Sequence, residues 1–251
     1  MTGREALCVS EKRRPLARSS NIPLYAANLV LNGVEALVVG GGEVALRKTR
    51  SLLEARARVT AVAPEFHAAF GGLKRAKGLR LVRREFKPAD LKRARFVFAA
   101  THNPALNARI ARAAIKKGLL VNVAAPPEAG NFHVPASIHR GRLSIAISTG
   151  GASAALARSL REQIEKTVGD EWGELAGILD ERRTKLLSDM NDTVARHELL
   201  CELGSAKWAR RVKARGVKNT AREMDAVIRA AKKNGASRQA GISPPQKRAR
   251  R

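Results

Sequence analysis

The chain has 251 residues, 48 Lys+Arg against 22 Asp+Glu, and a formal net charge of +26. That length suits one large or two modest domains, and 44% hydrophobic residues exclude wholesale disorder. No run of about 18 apolar residues predicts a membrane span, residues 1–21 form a basic extension without the apolar core of a secretory signal, and Cys8 and Cys201 offer no disulfide framework, so a reducing cytoplasm is expected.

Residues 34–40 (VEALVVG) form a short apolar run that ends in glycine, the pattern of a buried parallel strand. Glu43 to Ala55 follows as a helix, 57–63 (ARVTAVA) as a second strand, and Leu79–Phe86 and Arg95–Ala100 as two more. Asn103-Pro104 opens a helix with Asn as N-cap and Pro at the first helical position, Gly118 falls just past its end, and 119–123 (LLVNV) is the next strand. This alternation predicts an α/β Rossmann-type domain over 22–124, a parallel sheet with helices on both faces.

Beyond Ala124 the stretch AAPPEAGNFHVPAS is loop-like and 142–148 (RLSIAIS) reads as a strand, so 125–152 forms a small separate region. From Ser153 the chain turns helical: Leu156, Leu160, Ile164, Val168 and Trp172 recur every four residues as one apolar stripe, and the signal runs on through a helical domain over 153–204. Residues 205–251 hold 15 Lys+Arg and only Glu223 and Asp225 as acids, which leaves +13, half of the total charge. They read as a basic, partly disordered tail from Asn234 on. Such a tail either is simply solvated or neutralises nucleic-acid phosphates. With Trp208 as its one aromatic it offers no stacking platform, so the solvated reading is preferred.

Two glycine turns carry the chemistry. VVGGGEVALRK sets Gly40, Gly42 and Ala45 in a G-x-G-x-x-A pattern between a strand and a helix, the context of a dinucleotide fingerprint. Gly40 permits the tight turn, Gly42 removes a Cβ where a pyrophosphate approaches, Ala45 lets helix and strand pack closely, and the helix N-terminus offers N–H donors. Glu65, just after the second strand, can accept from ribose hydroxyls, and no Lys or Arg follows at once to receive a 2′-phosphate, which favours NAD over NADP. The second turn, Ser148-Thr149-Gly150-Gly151, precedes a helix that Ser153 can cap; flanked by Arg140, Arg142 and Arg158, it either holds an anion such as a carboxylate or is a plain capped helix start. The five histidines, His67, His102, His133, His139 and His197, show no metal-ligand spacing, so no metal site is expected.

IPLYAANL, VVGGGEVALRK, VTAVAPE, AATHNPALN, VNVAAPPEAGNFHVPAS and ISTGGASAALARSLRE follow one another in the order and spacing of the precorrin-2 dehydrogenases, which also form the N-terminal module of siroheme synthases. The resemblance covers residues 22–170 and more loosely those to about 200. It implies NAD-dependent oxidation of precorrin-2 to sirohydrochlorin by a homodimer, with 125–152 as a small dimerisation region. It places Glu43, Val44, Pro64, Glu65 and Thr101 at the nucleotide, and the Ser148–Gly151 turn near the tetrapyrrole, with Thr149 where some members carry a phosphorylatable serine. Basic charge and backbone N–H groups suit so polycarboxylate a substrate.

One departure matters. Alignment on Asn122, Phe132 and Pro135 puts Ala125 where the family carries the aspartate proposed as acid/base for dehydrogenation and for metal insertion. The T-D-D of many members likewise reads Thr101-His102-Asn103. Alanine neither takes a proton nor binds iron, so chelatase activity is not expected. Three readings follow: a dehydrogenase relying on cofactor placement, with Glu128 or His133 as substitute proton acceptor; a catalytically weak NAD- and tetrapyrrole-binding protein; or a binding role recruited through the basic C-terminus.

Overall fold

The computed structural model describes residues 24–240. They form two compact units, one of residues up to 134 together with 150–152, the other of 135–149 and 153 onward.

In the first unit the elements run β1 (Glu35–Val39), α1 (Glu43–Glu54), β2 (Arg58–Ala63), β3 (Leu79–Arg83), β4 (Phe96–Ala99), α2 (Pro104–Lys116) and β5 (Leu120–Val123). The five strands are all parallel, in the order β3-β2-β1-β4-β5. Chain order reverses at β1, whose neighbours are β2 and β4, so the carboxyl edge there is the place where such sheets bind ligands.

Side chains alternate across a strand, and the sheet uses both sets. Ala36 and Val38 of β1, Val59 and Ala61 of β2 and Phe98 of β4 join Ala45, Leu46 and Leu52 of α1 in one core. Leu37, Val39, Val62, Val97, Val121 and Val123 join Ile110, Ala111 and Ala114 of α2 in a second core on the other face. Two short 3-10 turns, Ala68–Leu73 and Pro88–Lys92, replace full helices on the way to β3 and β4, each anchored by one buried residue, Phe70 and Leu91. The N-cap expected for α2 is present: Asn103 accepts from the Leu106 N–H at 3.1 Å. β3 stops at Arg83, short of the strand expected through Phe86, and Arg84 turns out to a bidentate pair with Asp90 at 2.9 and 2.6 Å.

The second unit begins with a hairpin that the sequence shows only in part. β6 (Ala136–Arg140) begins in the last two residues of the stretch expected to be loop and pairs antiparallel with β7 (Leu143–Ile147). Then come α3 (Ala154–Thr167), α4 (Asp170–Asp189), α5 (Thr193–Leu203) and α6 (Ala206–Ala240), the last broken at Gly216, whose φ is +76°. The apolar stripe expected to run on to Trp172 is interrupted: Val168 turns extended as the C-cap of α3, and α4 starts anew after Gly169. The first two members of the stripe face outward, Leu156 being 52% and Leu160 38% exposed, while Trp172 packs against the helical core.

The expected boundary at residue 204 and the separable tail beyond it do not hold for the described residues. Trp208, Ala209, Val212, Met224 and Ile228 of α6 are buried in one core with Leu175, Ile178 and Leu186 of α4 and Leu199 and Leu203 of α5. The guanidinium of Arg182 on α4 grips Asp225 on α6 with two bonds, 2.8 and 3.1 Å. The physical reason is amphipathicity: between its cations α6 carries Trp208, Val212, Met224 and Ile228, and burying them outweighs the tendency of a charged segment to stay solvated. The charge arithmetic of this segment had concealed that stripe.

Candidate nucleotide site

The glycine turn joins β1 to α1 at the reversal point of the sheet, and two of its three glycines are dictated by contacts with the chain's own backbone. Gly40 has φ +134°, and a Cβ there would stand 2.2 Å from the Ala100 carbonyl oxygen. A Cβ on Gly41, the unassigned x of the motif, would stand 1.8 Å from the Glu65 carbonyl oxygen. Gly41 is also tied to the neighbouring loop, because its carbonyl accepts from the His67 N–H at 2.8 Å. Gly42 is the N-cap of α1; a Cβ there would approach only the His102 ring, at 3.3 Å, so the space that it leaves open is toward solvent. Ala45 is fully buried against the sheet, as its place in the motif requires.

A pocket of about 900 Å³ opens beside this turn. Gly40, Gly42, Pro64, Glu65 and Thr101, five of the seven positions expected to meet the nucleotide, line it. Glu43 and Val44 do not; both side chains are exposed on the first turn of α1, where the chain's contribution is backbone N–H groups that no helical carbonyl can take. Sequence reasoning missed His102, Arg109 and Arg112. They reach the pocket from the β4–α2 loop and from α2, and the two arginines share a helix face three residues apart.

Thr101 is held rather than merely near. Its N–H and hydroxyl both donate to Asn107 Oδ1, at 3.1 and 2.7 Å, while Asn107 Nδ2 donates to the Thr101 and Ala125 carbonyls, each at 3.1 Å. Asn107 is fully buried. One amide thus fastens the loop after β4 to the loop after β5. Asn107→Ala is expected to destabilise the first unit by about 2–3 kcal/mol, because it strands two carbonyls and one amide N–H. It should also weaken dinucleotide binding several-fold. Denaturant unfolding and NAD titration check this, and affinity equal to that of the unaltered chain would show that Thr101 needs no such support.

Ala125 is exposed just past β5. Glu128 is exposed on a short 3-10 turn and His133 is half-buried, and neither lines the pocket. Lys48 of α1 was not singled out from the sequence. Burial first, then the neighbouring Arg47, pushes its ammonium down to about 8, and its Nζ stands 5.9 Å from the centre of the Phe98 ring.

The second glycine turn has positive φ at both Gly150 and Gly151, +64° and +88°. Ser153 caps α3 by accepting from the Leu156 N–H, and Thr149 Oγ1 bonds to the Ser153 N–H and carbonyl at 3.1 and 3.0 Å. The flanking arginines are engaged elsewhere. Arg142 pairs with Asp180 at 2.8 Å and Arg158 with Glu162 at 3.8 Å, and Arg140 Nε lies 3.0 Å from Asp170, a charge contact without hydrogen-bond alignment. The local geometry therefore supports a capped helix start more strongly than an arginine-lined anion site.

Three glycines without room for a Cβ or beside open space, a carboxylate after β2 and an uncapped helix N-terminus fit a dinucleotide. Known proteins agree. Residues 27–136 match the family model described as putative NAD(P)-binding, and 140–167 match the sirohaem biosynthesis protein central model. Siroheme synthase of Pseudomonas paraeruginosa is 36% identical over 193 residues, 77% of this chain and 41% of that protein. Siroheme synthase 2 of Aeromonas salmonicida is 40% identical over 174 residues, 68% of this chain and 35% of that protein. The chain thus spans about two fifths or less of the curated relatives that it matches. Among solved structures, SirC, a precorrin-2 dehydrogenase, is 31% identical with a TM-score of 0.67, over 80% of this chain and 99% of that one. With the same fold and nearly the whole of that enzyme matched at 31% identity, the chain belongs to the precorrin-2 dehydrogenase family.

Proposed function

We propose that this protein dehydrogenates precorrin-2 to sirohydrochlorin with NAD and does not insert metal. The observation that carries this is the glycine turn at the reversal point of the sheet, with Glu65 in the adjoining pocket, in a chain that matches 99% of the length of SirC. Gly40 to Gly42 and the N–H groups of Glu43 and Val44 would hold the diphosphate, and Glu65 would accept from the adenosine ribose. NAD supplies the hydride acceptor. The chain's own work is to orient the macrocycle, exclude water and take up the proton released with the hydride. Ala125 presents a methyl group where that proton and a metal ion would be met. Glu128 or His133 is left as acceptor on the following loop, and chelation has no carboxylate there. The exposed Leu156 and Leu160 on one face of α3 favour a homodimer that buries them against a second copy.

The test is NADH formation at 340 nm from precorrin-2. Turnover with NAD, about ten-fold less with NADP, no cobalt or iron insertion, and sedimentation at twice the chain mass are expected. Ala125→Asp should raise the rate. A chain that binds NAD yet turns over nothing until that change is made would be the catalytically weak binder instead.

A further inference from the structure

Lys48 sits on α1 beside the face that packs into the sheet, whose buried positions are Ala45, Leu46, Thr49 and Leu52. Its ammonium stands over Phe98, the penultimate residue of β4, which is in register with Asn122 of β5. The Phe98 ring meets Phe132 edge-on at 5.5 Å, and Asn122 Nδ2 donates to the Phe132 carbonyl at 3.1 Å. These residues lie on the α1 face at the β4–β5 end of the sheet. The nucleotide pocket is instead lined from the ends of β1, β2 and β3, from the loop after β4 and from α2.

Among the described residues no carboxylate pairs with Lys48, and the like charge of Arg47 beside it, after burial, pushes its ammonium down to about 8. A half-buried ammonium without a counter-ion is unfavourable, and a methionine would fill the same space without that cost. The unfavourable term is offset when a ligand brings the anion. The dinucleotide diphosphate belongs at Gly40 to Gly42, and Lys48 lies six residues along α1 from Gly42, about 9 Å at the helical rise. The anion left to fill this position is a substrate carboxylate.

We propose that Lys48 is a substrate-binding residue whose ammonium, held over Phe98 near the carboxyl end of β4, pairs with a carboxylate of the tetrapyrrole. This rests on precorrin-2 as the substrate class.

The experiment titrates the full chain with sirohydrochlorin and, separately, with NAD, for the unaltered protein and for Lys48→Met, Lys48→Gln and Lys48→Arg. Lys48→Met and Lys48→Gln are expected to weaken sirohydrochlorin by about ten-fold or more, the usual effect of losing a charged partner. They should leave NAD affinity within about two-fold, and Lys48→Arg should retain most of the sirohydrochlorin affinity. Two neutral variants are used so that NAD binding by either one certifies an intact fold. Unchanged sirohydrochlorin affinity in the neutral variants overturns the assignment. So does an equal loss of NAD affinity, which would place the ammonium on the cofactor. An unaltered chain that binds NAD but no sirohydrochlorin overturns the substrate reading itself, and the Lys48 assignment with it.

Discussion

Gly41→Ala should abolish measurable NAD binding and destabilise the first unit by about 4 kcal/mol or more, the range reserved for changes that the backbone cannot absorb. The new Cβ would stand 1.8 Å from the Glu65 carbonyl oxygen, 2.9 Å from its carbon and 3.0 Å from Ala63 Cβ. None of these is the loose end of a side chain. Relief requires the β1–α1 turn to separate from the 63–67 loop, which breaks the His67 N–H bond to Gly41 and carries Pro64 and Glu65 away from the pocket. Gly42→Ala is the contrast in stability alone: its Cβ would meet only the His102 imidazole at 3.3 Å, and a ring can turn aside, so the fold should hold while NAD, whose diphosphate approaches there, binds more weakly. Calorimetric titration with NAD and urea unfolding of both variants decide the matter. Near-native behaviour of Gly41→Ala would mean that the two loops are not locked together.

Trp208→Ala should cost the helical unit about 3–5 kcal/mol, the range for removing a large aromatic from a core that cannot collapse. Trp208 is fully buried, its Nε1 donates to Glu202 Oε1 at 3.2 Å, and Arg211 stacks 4.6 Å over its ring. Truncation leaves a cavity in the core that Trp208 shares with Leu203, Val212 and Met224, and strips Glu202 of a donor. A solvated segment, as the composition of 205–251 implied, predicts no loss, so thermal unfolding of this one variant distinguishes the two views. For the same reason, deletion from residue 205 on does not isolate a nucleic-acid function: it removes Trp208, Val212, Met224 and Ile228 from the core along with the cations.

The dinucleotide domain was legible in the sequence because its signals are local. A strand running into glycines, an Asn-Pro helix start and short apolar runs depend on neighbours within a few residues, and these set β1, α1, α2 and the alternation of strands and helices. The candidate pocket was legible to the same extent, through Gly40, Gly42, Pro64, Glu65 and Thr101. What the sequence did not display depends on partners far apart in the chain. Asn107 looks like any polar residue on a helix until Ala125, 18 residues on, is brought to its amide. Gly41 is an unassigned position until Glu65 arrives beside it. The arginines around the second turn look free until Asp170, Asp180 and Glu162 meet them.

The charge that stood out at the start divides in the same way. Its amount and its concentration toward the C-terminus are facts of composition. Its meaning was decided by packing, since Trp208, Val212, Met224 and Ile228 of α6 are buried with residues of α4 and α5, and Arg182 of α4 pairs with Asp225, 43 residues away. The sequence by itself determined a nucleotide turn and an alanine at position 125, where the resemblance implies an aspartate, because bond geometry and side-chain chemistry are local. Only the tertiary structure decided which glycine is indispensable, which amide joins the two loops and which lysine, among the described residues, is half-buried without a carboxylate partner, because each depends on how burial and close approach distribute over distant residues.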